Sequence, residues 1–304
     1  MKILITGGAG FIGSNLCRSL CDQHDVICMD NLITGKKSNV DGLNVQFLKQ
    51  DIRTPFDIKC DIIFNMASPA SPADFPKIPL DILETNSFGV KNVLENAKKH
   101  NARVIHASTS ETYGDPLEHP QKESYFGNVN TLGPRACYDE SKRFAETICY
   151  NYHHKFGTEI ILARIFNTYG ERMRKNDGRV IPNFITQVLK NQDITIHGDG
   201  SQTRSFCYVS DMVDAFTKLA FSDIKFDVFN VGNPEELTVK KLATIISTIC
   251  KTDTKLVSKP FPQDDPKKRK PDISKIKKIL DWEPKIKLND GLKKTIEWFK
   301  SDLA

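Results

Sequence analysis

The sequence predicts an α/β protein: a Rossmann-type, doubly wound parallel sheet with a smaller, loop-rich C-terminal lobe. Three observations predict it. Short apolar, β-prone runs alternate with longer helical patterns through about residue 170, which implies a parallel sheet covered on both faces. A glycine-rich turn, Thr6-Gly7-Gly8-Ala9-Gly10-Phe11-Ile12-Gly13, follows the first run and opens the first helix. After Gly170 the pieces shorten and turn signals multiply, as in Asn176-Asp177-Gly178, Gly198-Asp199-Gly200 and Gly232-Asn233-Pro234. The expected division is residues 1–170 and residues 171–304, with a soft boundary that the chain crosses more than once.

The elements follow in order. Ile3-Leu4-Ile5 reads as a buried strand, and Phe11 to Cys21 as a helix. Val26 to Met29 and Val45 to Leu48 are the second and third strands. Ile62 to Met66 is the fourth, and it ends at a proline-rich loop, Ser68-Pro69-Ala70-Ser71-Pro72. A long helical pattern then runs from about Pro79 to His100. Val104 to Ala107 is a strand, Tyr138 to Lys155 a helix and Ile160 to Ile165 a strand. Beyond them, Leu237 to Cys250 and Asp290 to Leu303 carry amphipathic helical patterns. A basic run, Lys267-Lys268-Arg269-Lys270, sits between Pro266 and Pro271.

Composition excludes several classes. The 304 residues bury a core without disulfide or metal staples. Lys plus Arg is 43 and Asp plus Glu 38, a net charge of +5. That excess is too mild for a dedicated nucleic-acid binder, and it tolerates an anionic small-molecule substrate. The eight cysteines form no C-x-x-C pair and no zinc-spaced Cys/His cluster, so no metal is expected and a reducing, cytoplasmic compartment is. No apolar stretch reaches the roughly 18 residues of a membrane span, and the N-terminus lacks a signal peptide's apolar region. The length leaves no expected room for a membrane anchor or a fused second enzyme.

The glycine turn holds G-x-G-x-x-G at Gly8, Gly10 and Gly13, and a wider G-x-x-G-x-x-G at Gly7, Gly10 and Gly13. Glycines let the backbone turn tightly and approach a pyrophosphate seated on the helix N-terminus. Asp30 ends the second strand, 20 residues beyond Gly10, where an acid hydrogen-bonds an adenosine ribose. A carboxylate there repels a 2′-phosphate and so favours NAD over NADP. Asp51-Ile52, after the third strand, suits an adenine contact, with an ordinary strand-end aspartate as the bland alternative.

Tyr138 and Lys142 stand at i and i+4, on one helix face. A phenol is a poor base at neutral pH, but a neighbouring ammonium and a positive nicotinamide ring stabilise its phenolate. The tyrosine then takes a hydroxyl proton while hydride leaves the same carbon. Ser108-Thr109-Ser110-Glu111-Thr112-Tyr113-Gly114 follows a strand, at the edge where open α/β sheets bind ligands. Thr109 adds a hydroxyl to the Tyr/Lys pair. Glu111 is either a plain loop carboxylate or a functional one, and its place beside the hydride site favours function.

Taken together, these residues resemble the extended short-chain dehydrogenases/reductases that act on nucleotide sugars, and within them the UDP-glucuronate decarboxylases (UDP-xylose synthases). The resembling stretches span essentially the whole chain. They include Thr6 to Gly13, Ala67 to Pro72, Ala107 to Pro116, Gly133 to Lys142, Ala163 to Gly170, Asn176 to Val180, Gly200 to Arg204 and Asp264 to Asp272. Residues 109–111 separate the relatives: 4,6-dehydratases carry Thr-Asp-Glu there, whereas this chain has Thr109-Ser110-Glu111, and 4-epimerases usually have small or hydroxyl residues in place of Glu111.

The resemblance implies oxidation at C4 of UDP-glucuronate by NAD, loss of CO2 from the resulting β-keto acid, and return of hydride to give UDP-xylose. NAD is regenerated each turnover. It makes Thr109, Ser110, Glu111, Tyr138, Lys142 and Arg204 catalytic, with Glu111 and Arg204 flanking the sugar carboxylate. It extends the cofactor set from Gly7, Gly10, Gly13, Asp30, Asp51, Ile52, Tyr138 and Lys142 to Phe11, Ile12, Asn31, Thr34, Gly35, Met66, Ser68, Thr85, Thr168 and Arg179. It gives the substrate Ser110, Asn167, Thr195, His197, Arg204 and Arg269, with Arg269 meeting the diphosphate. It also implies a homodimer that pairs the helices near 79–100 and 138–156 into a four-helix bundle. Without the resemblance, the basic run around Arg269 reads as a solvated face or a targeting patch.

Overall fold

The computed structural model describes residues 1–303. Its centre is a seven-stranded, all-parallel sheet. In chain order the first six strands are β1 (Lys2–Thr6), β2 (Asp25–Asp30), β3 (Val45–Lys49), β4 (Ile62–Asn65), β5 (Arg103–Thr109) and β6 (Ile160–Ile165). The later strands are β7 (Thr168–Tyr169), β8 (Ile194–His197), β9 (Thr203–Ser205), β10 (Cys207–Tyr208) and β11 (Phe226–Val231). The sheet order is β3-β2-β1-β4-β5-β6-β11, so the winding reverses between β1 and β4. There Thr6 pairs with Asn65, and the chain leaves the two strand ends in opposite directions. Such a reversal leaves a crevice beyond the carboxyl ends of the strands, where ligands bind.

Alternation explains why the sheet is buried on both faces. Ile3 and Ile5 pack on one side with α1 (Phe11–Leu20), and Leu4 points to the other. That second side is covered by a long helix and by α4 (Ala136–Phe156). The long helix is α2 (Pro79–Glu84), a π-turn over Thr85–Gly89, and α3 (Val90–His100). The predicted single helix over 79–100 is therefore one rod with a wider turn in the middle. A π-turn often marks a functional position, and Thr85 opens this one.

The chain returns to the large sheet after building part of the second lobe. The helices α5 (Val180–Leu189) and α6 (Val209–Ala220) and strand β11 add to the elements that the sequence predicts. Met212, Phe216 and Leu219 of α6 pack against the sheet beside α1, while β11 extends it next to β6. The second lobe has its own core. Ile181, Phe184 and Ile185 of α5 meet Leu242 and Ile246 of α7 (Val239–Cys250), and Leu292, Ile296 and Phe299 of α9 (Leu288–Leu303) complete it. Leu237 and Thr238, read as helical, instead belong to strand β12 (Glu236–Thr238), and Thr238 caps α7 by accepting a hydrogen bond from the Lys241 amide. Strands β13 (Leu256–Lys259) and β14 (Lys268–Arg269) pair with β8 and β9, and α8 (Ser274–Leu280) returns to the first core through Ile276. All eight cysteines are free thiols. No helix among the described residues is long and apolar enough to cross a membrane.

The crossover depends on a glycine. Gly7 has φ of +66°, and a Cβ there would stand 2.7 Å from the backbone of Ala67, just past β4. Gly7→Ala is expected to lower stability by about 2–4 kcal/mol through left-handed strain and overpacking. Urea unfolding measures it, and a loss within about 0.5 kcal/mol would mean the two strand ends move apart freely.

Candidate active site

One cavity of about 590 Å³ lies between the sheet edge and the second lobe. From the large sheet it is lined by Gly7, Gly10, Phe11, Ile12, Gly13, Asp30, Asn31, Thr34, Asp51, Ile52, Met66, Ser68 and Thr85. Thr109, Ser110, Glu111, Tyr138 and Lys142 line its middle. Asn167, Thr168, Arg179, Thr195, His197, Arg204 and Arg269 close it from the other side. Of the residues assigned above to cofactor or substrate, Gly35 alone stays out of the lining. It stands behind the wall, where a Cβ would come 2.9 Å from both carboxylate oxygens of Asp30.

The cofactor arm is built by the backbone. Gly10 is the N-cap of α1, and Gly10, Phe11, Ile12 and Gly13 present the helix start to the cavity. The Asp30 carboxylate is fixed by two amides, Ala9 N–H at 3.0 Å and Leu32 N–H at 2.8 Å. Asn31 donates to Asp51 at 2.8 Å, and Arg53 pairs with the same carboxylate at 2.8 Å. The buried Ser68 hydroxyl has no partner within the protein. A glycine-lined helix start, a held ribose-side carboxylate and an orphan hydroxyl fit a dinucleotide such as NAD. No cluster of three or more His, Cys, Asp or Glu side chains arranged to hold a metal occurs among the described residues.

The middle of the cavity is built by α4 and the end of β5. Helical spacing places Tyr138 and Lys142 on the inward face, and both are buried. Lys142 Nζ donates to the Ala107 carbonyl at 2.8 Å and stands 5.8 Å from the Tyr138 ring centre. Phe75 stacks on the other side of that ring, with centroids 5.1 Å apart. Burial pushes the Tyr138 phenol up to about 12, against the hydrogen bond with Thr109 and the charge of Arg179. Burial also pushes Lys142 down to about 8. The phenol is thus neutral at pH 7, and it needs a further positive charge nearby to become a base.

Past β5 the backbone tightens into a 3-10 turn over Ser110–Tyr113. Thr109 caps it, its Oγ1 accepting from the Glu111 amide at 3.2 Å. The turn delivers Glu111 into a cluster of three guanidiniums and two further acids. Arg135 donates to Glu111 Oε2 at 2.7 Å, and Arg269 to the same oxygen at 3.3 Å. Arg204 pairs instead with Asp265 at 2.8 Å. Burial opposes the charge on Glu111, but Arg269, Arg135 and Arg204 together overcome it and hold its carboxyl down near about 2. Two nitrogens of the buried Arg269, Nε and Nη1, have no partner within the protein. They are free to receive the oxygens of an anionic ligand.

Phe75, Arg135, Asp139 and Asp265 carry no local sequence signal that marks them individually as site residues. Arg135 stands three residues before Tyr138, within a stretch already singled out, and only the fold turns it onto Glu111. On the outer arm, Gln187 exchanges two hydrogen bonds with Thr195, at 2.8 and 3.1 Å. His197 Nδ1 lies 2.9 Å from the Pro260 carbonyl. Arg179 reaches back to the Ala70 carbonyl in the proline-rich loop.

Burial, with Glu111 close by, raises the Asp139 carboxyl from its ordinary 3.8 to about 8. The folded chain then holds a proton that the unfolded chain releases near pH 4. That stability is present below about pH 4 and is lost as pH rises through about 8. Asp139→Asn is expected to remove this dependence, on the order of 1–3 kcal/mol in urea unfolding between pH 5 and pH 8.5. Equal losses in parent and variant would contradict a protonated Asp139.

Residues 3–232 match the NAD dependent epimerase/dehydratase family. UDP-glucuronic acid decarboxylase 1 of Danio rerio is 48% identical over 99% of this chain and 73% of its own length. UDP-glucuronic acid decarboxylase 6 of Arabidopsis thaliana is 47% identical over 100% of this chain and 90% of its own. Among solved structures, a UDP-glucuronic acid 4-epimerase from Bacillus cereus, in complex with UDP-glucuronic acid and NAD, superposes with a TM-score of 0.90. It is 28% identical and covers 99% of each chain. The UDP-glucose 4-epimerase of Thermotoga maritima, solved with UDP-glucose, gives a TM-score of 0.91 at 30% identity over the full length of both. This chain belongs to the NAD dependent epimerase/dehydratase family, and its relatives at 44–48% identity over nearly the whole of this chain carry the name UDP-glucuronic acid decarboxylase.

Proposed function

We propose that this chain decarboxylates UDP-glucuronate to UDP-xylose through a UDP-4-keto intermediate, with NAD regenerated each turnover. The observation that carries the reading is the Glu111–Arg135–Arg269 cluster in the same cavity as Tyr138, Lys142 and the glycine turn. A 4-epimerase needs the Tyr/Lys pair, and the resemblance gives such enzymes usually a small or hydroxyl residue in place of Glu111. A 4,6-dehydratase needs an acid at position 110, where this chain has serine.

Gly7, Gly10, Phe11, Ile12, Gly13, Asp30, Asn31, Thr34, Asp51, Ile52, Met66, Ser68, Thr85, Thr168 and Arg179 would hold the dinucleotide, with Gly35 bracing Asp30. When bound, NAD supplies the acceptor for the C4 hydride and gives it back. Tyr138 takes the O4 proton, and the Lys142 charge stabilises the phenolate. Thr109 and Ser110 hydrogen-bond the sugar hydroxyls. The 4-ketone stands β to the carboxylate, so loss of CO2 leaves an enolate delocalised onto oxygen, which takes a proton at C5 before hydride returns to C4. Arg204 and Arg269 face the substrate's anionic groups, and Glu111 acts after oxidation. Asn167, Thr195 and His197 bind the nucleotide side. In this reading residues 1–170 supply most of the cofactor contacts and residues 171–304 most of those to the nucleotide sugar, with Arg179, Thr109, Ser110 and Asn167 crossing that division.

We also read the chain as a cytoplasmic homodimer. Eight free cysteines suit a reducing compartment. Leu80, Leu83, Phe88 and Phe144 stand exposed on the helices over 79–89 and on α4, an apolar face that a second copy would cover.

Purified protein given UDP-glucuronate and NAD is expected to release CO2 and UDP-xylose, followed by mass spectrometry and NMR. Absence of both would sink the decarboxylase reading. Tyr138→Phe is expected to lower turnover by about 10²–10⁴-fold, and unchanged turnover would rule out the phenol as base. Phe88→Glu with Phe144→Glu is expected to give a monomer in light scattering coupled to gel filtration. A parent protein that is already monomeric would refute the dimer.

A further inference from the structure

Arg135 is held by the turn that opens α4. The Tyr138 and Asp139 amides both donate to its carbonyl, at 3.0 and 3.1 Å. Its guanidinium is largely buried and reaches four groups. Nη2 donates to Glu111 at 2.7 Å, Nη1 stands 3.6 Å from Asp265, and Nε stands 3.8 Å from Asp139. The plane also lies over Phe75, 5.6 Å from the ring centre, and Phe75 is the ring stacked on Tyr138. One side chain thus ties the helix that carries the proposed base to the carboxylate proposed to act after oxidation.

Both guanidinium contacts to Glu111 fall on Oε2, while Oε1 takes no hydrogen bond among the described residues. One oxygen is anchored and the other is left for the cavity that Glu111 lines. Arg269 alone would hold it less well. Its contact is the longer of the two, and the same Nη2 also donates to the Gly114 carbonyl at 2.8 Å.

We infer that Arg135 is a positioning residue that fixes Glu111 for the step after oxidation by anchoring one oxygen of its carboxylate. The inference rests on the decarboxylase reading. A purely structural arginine at the start of α4 would act independently of Glu111, whereas a positioning residue acts through it. The two cases differ in a double-mutant cycle.

They differ in pH dependence as well. The groups facing Glu111 are Arg135 at the N-cap of α4, Tyr138 and Asp139 within it, Arg204 from β9, Arg269 from β14, and Asp265 ahead of β14. Removing Arg135 deletes the shortest positive contact and leaves the acids in place. The Glu111 carboxyl then titrates higher than about 2. Ionised Glu111 is lost at a higher pH, so the acid limb of the kcat profile moves up.

The experiment measures CO2 release from UDP-glucuronate with NAD, from pH 4.5 to 8. It uses the parent chain, Arg135→Lys, Arg135→Met, Glu111→Gln and the Arg135→Met/Glu111→Gln double variant. Losing a charged hydrogen bond predicts a kcat lower by about 10- to 100-fold in Arg135→Met. Arg135→Lys is expected to recover part of it, and Arg135→Met to lose further rate toward pH 4.5, where Glu111 stays ionised in the parent. In the Glu111→Gln background, Arg135→Met is expected to cost less than about 3-fold. A double variant whose loss equals the product of the two single losses would overturn the inference, and so would parental kcat in Arg135→Met. Should Arg135→Met fail to fold by circular dichroism, the same cycle with Arg135→Lys decides the question. A parent chain that releases no CO2 removes the decarboxylase reading itself, a result distinct from either of these.

Discussion

The structure depends on the close approach of two strand ends. The carboxyl ends of β1 and β4 are neighbours, yet the chain leaves β1 toward one face of the sheet and β4 toward the other. That divergence opens the crevice, and it is possible only because residue 7 has no side chain to strike the Ala67 backbone. Everything ligand-facing is measured from that point. Asp30 lies one strand to one side. The turn after β5 and the helix α4, with Glu111, Tyr138 and Lys142, lie to the other. The second lobe closes over the gap with a core of its own, so the cavity has a wall from each lobe.

The cavity concentrates charge that a protein interior ordinarily rejects. Burying an unpaired guanidinium or carboxylate costs several kcal/mol. Here each is compensated locally: Arg135 and Arg269 by Glu111, Arg204 by Asp265, with Asp139 tending to keep its proton. The compensation is incomplete by design of the chain. Arg269 keeps two donors unmatched, so the site is short of negative charge until an anion arrives. The same burial leaves Tyr138 protonated and weakens the hold of Lys142 on its proton. Base strength is therefore tied to what occupies the cavity, not fixed by the side chains alone.

Much of this was legible in the sequence, for reasons that can be named. The glycine turn, Asp30 and the Tyr/Lys pair are local patterns: spacing along one turn or one helix face decides where the side chains point. The strands β1, β2, β4, β5 and β6 announce themselves because both faces are largely buried, which keeps their centres apolar, whereas the edge strand β3 is only half-buried and shows through Val45, Phe47 and Leu48. What the sequence hid was long-range. Strand β11, with Phe226, Asp227 and Asn230 among its residues, reads as unremarkable and joins the sheet only through β6. Arg135 and Asp265 lie about 130 residues apart and meet through the fold, so neither stands out by spacing. Leu237 and Thr238 fit a helical pattern, but their pairing with Arg204 and Thr203 draws them into a strand.

The basic run shows how a two-residue element resolves an ambiguity of composition. Four consecutive cations between prolines suggest a solvated patch. Pairing of Lys268 and Arg269 with Thr203 and Arg204 makes this segment a strand, and a strand alternates its faces. Lys268 turns outward, while Arg269 turns inward and becomes fully buried. That register sets Arg269 directly opposite Arg204, a like-charge pair that destabilises a sheet on its own. The pair holds because each arginine finds a different acid, Asp265 for Arg204 and Glu111 for Arg269. Glu111 therefore both carries a charge into the cavity and keeps the strand that closes it in register, so substitutions there change the shape of the site together with its chemistry.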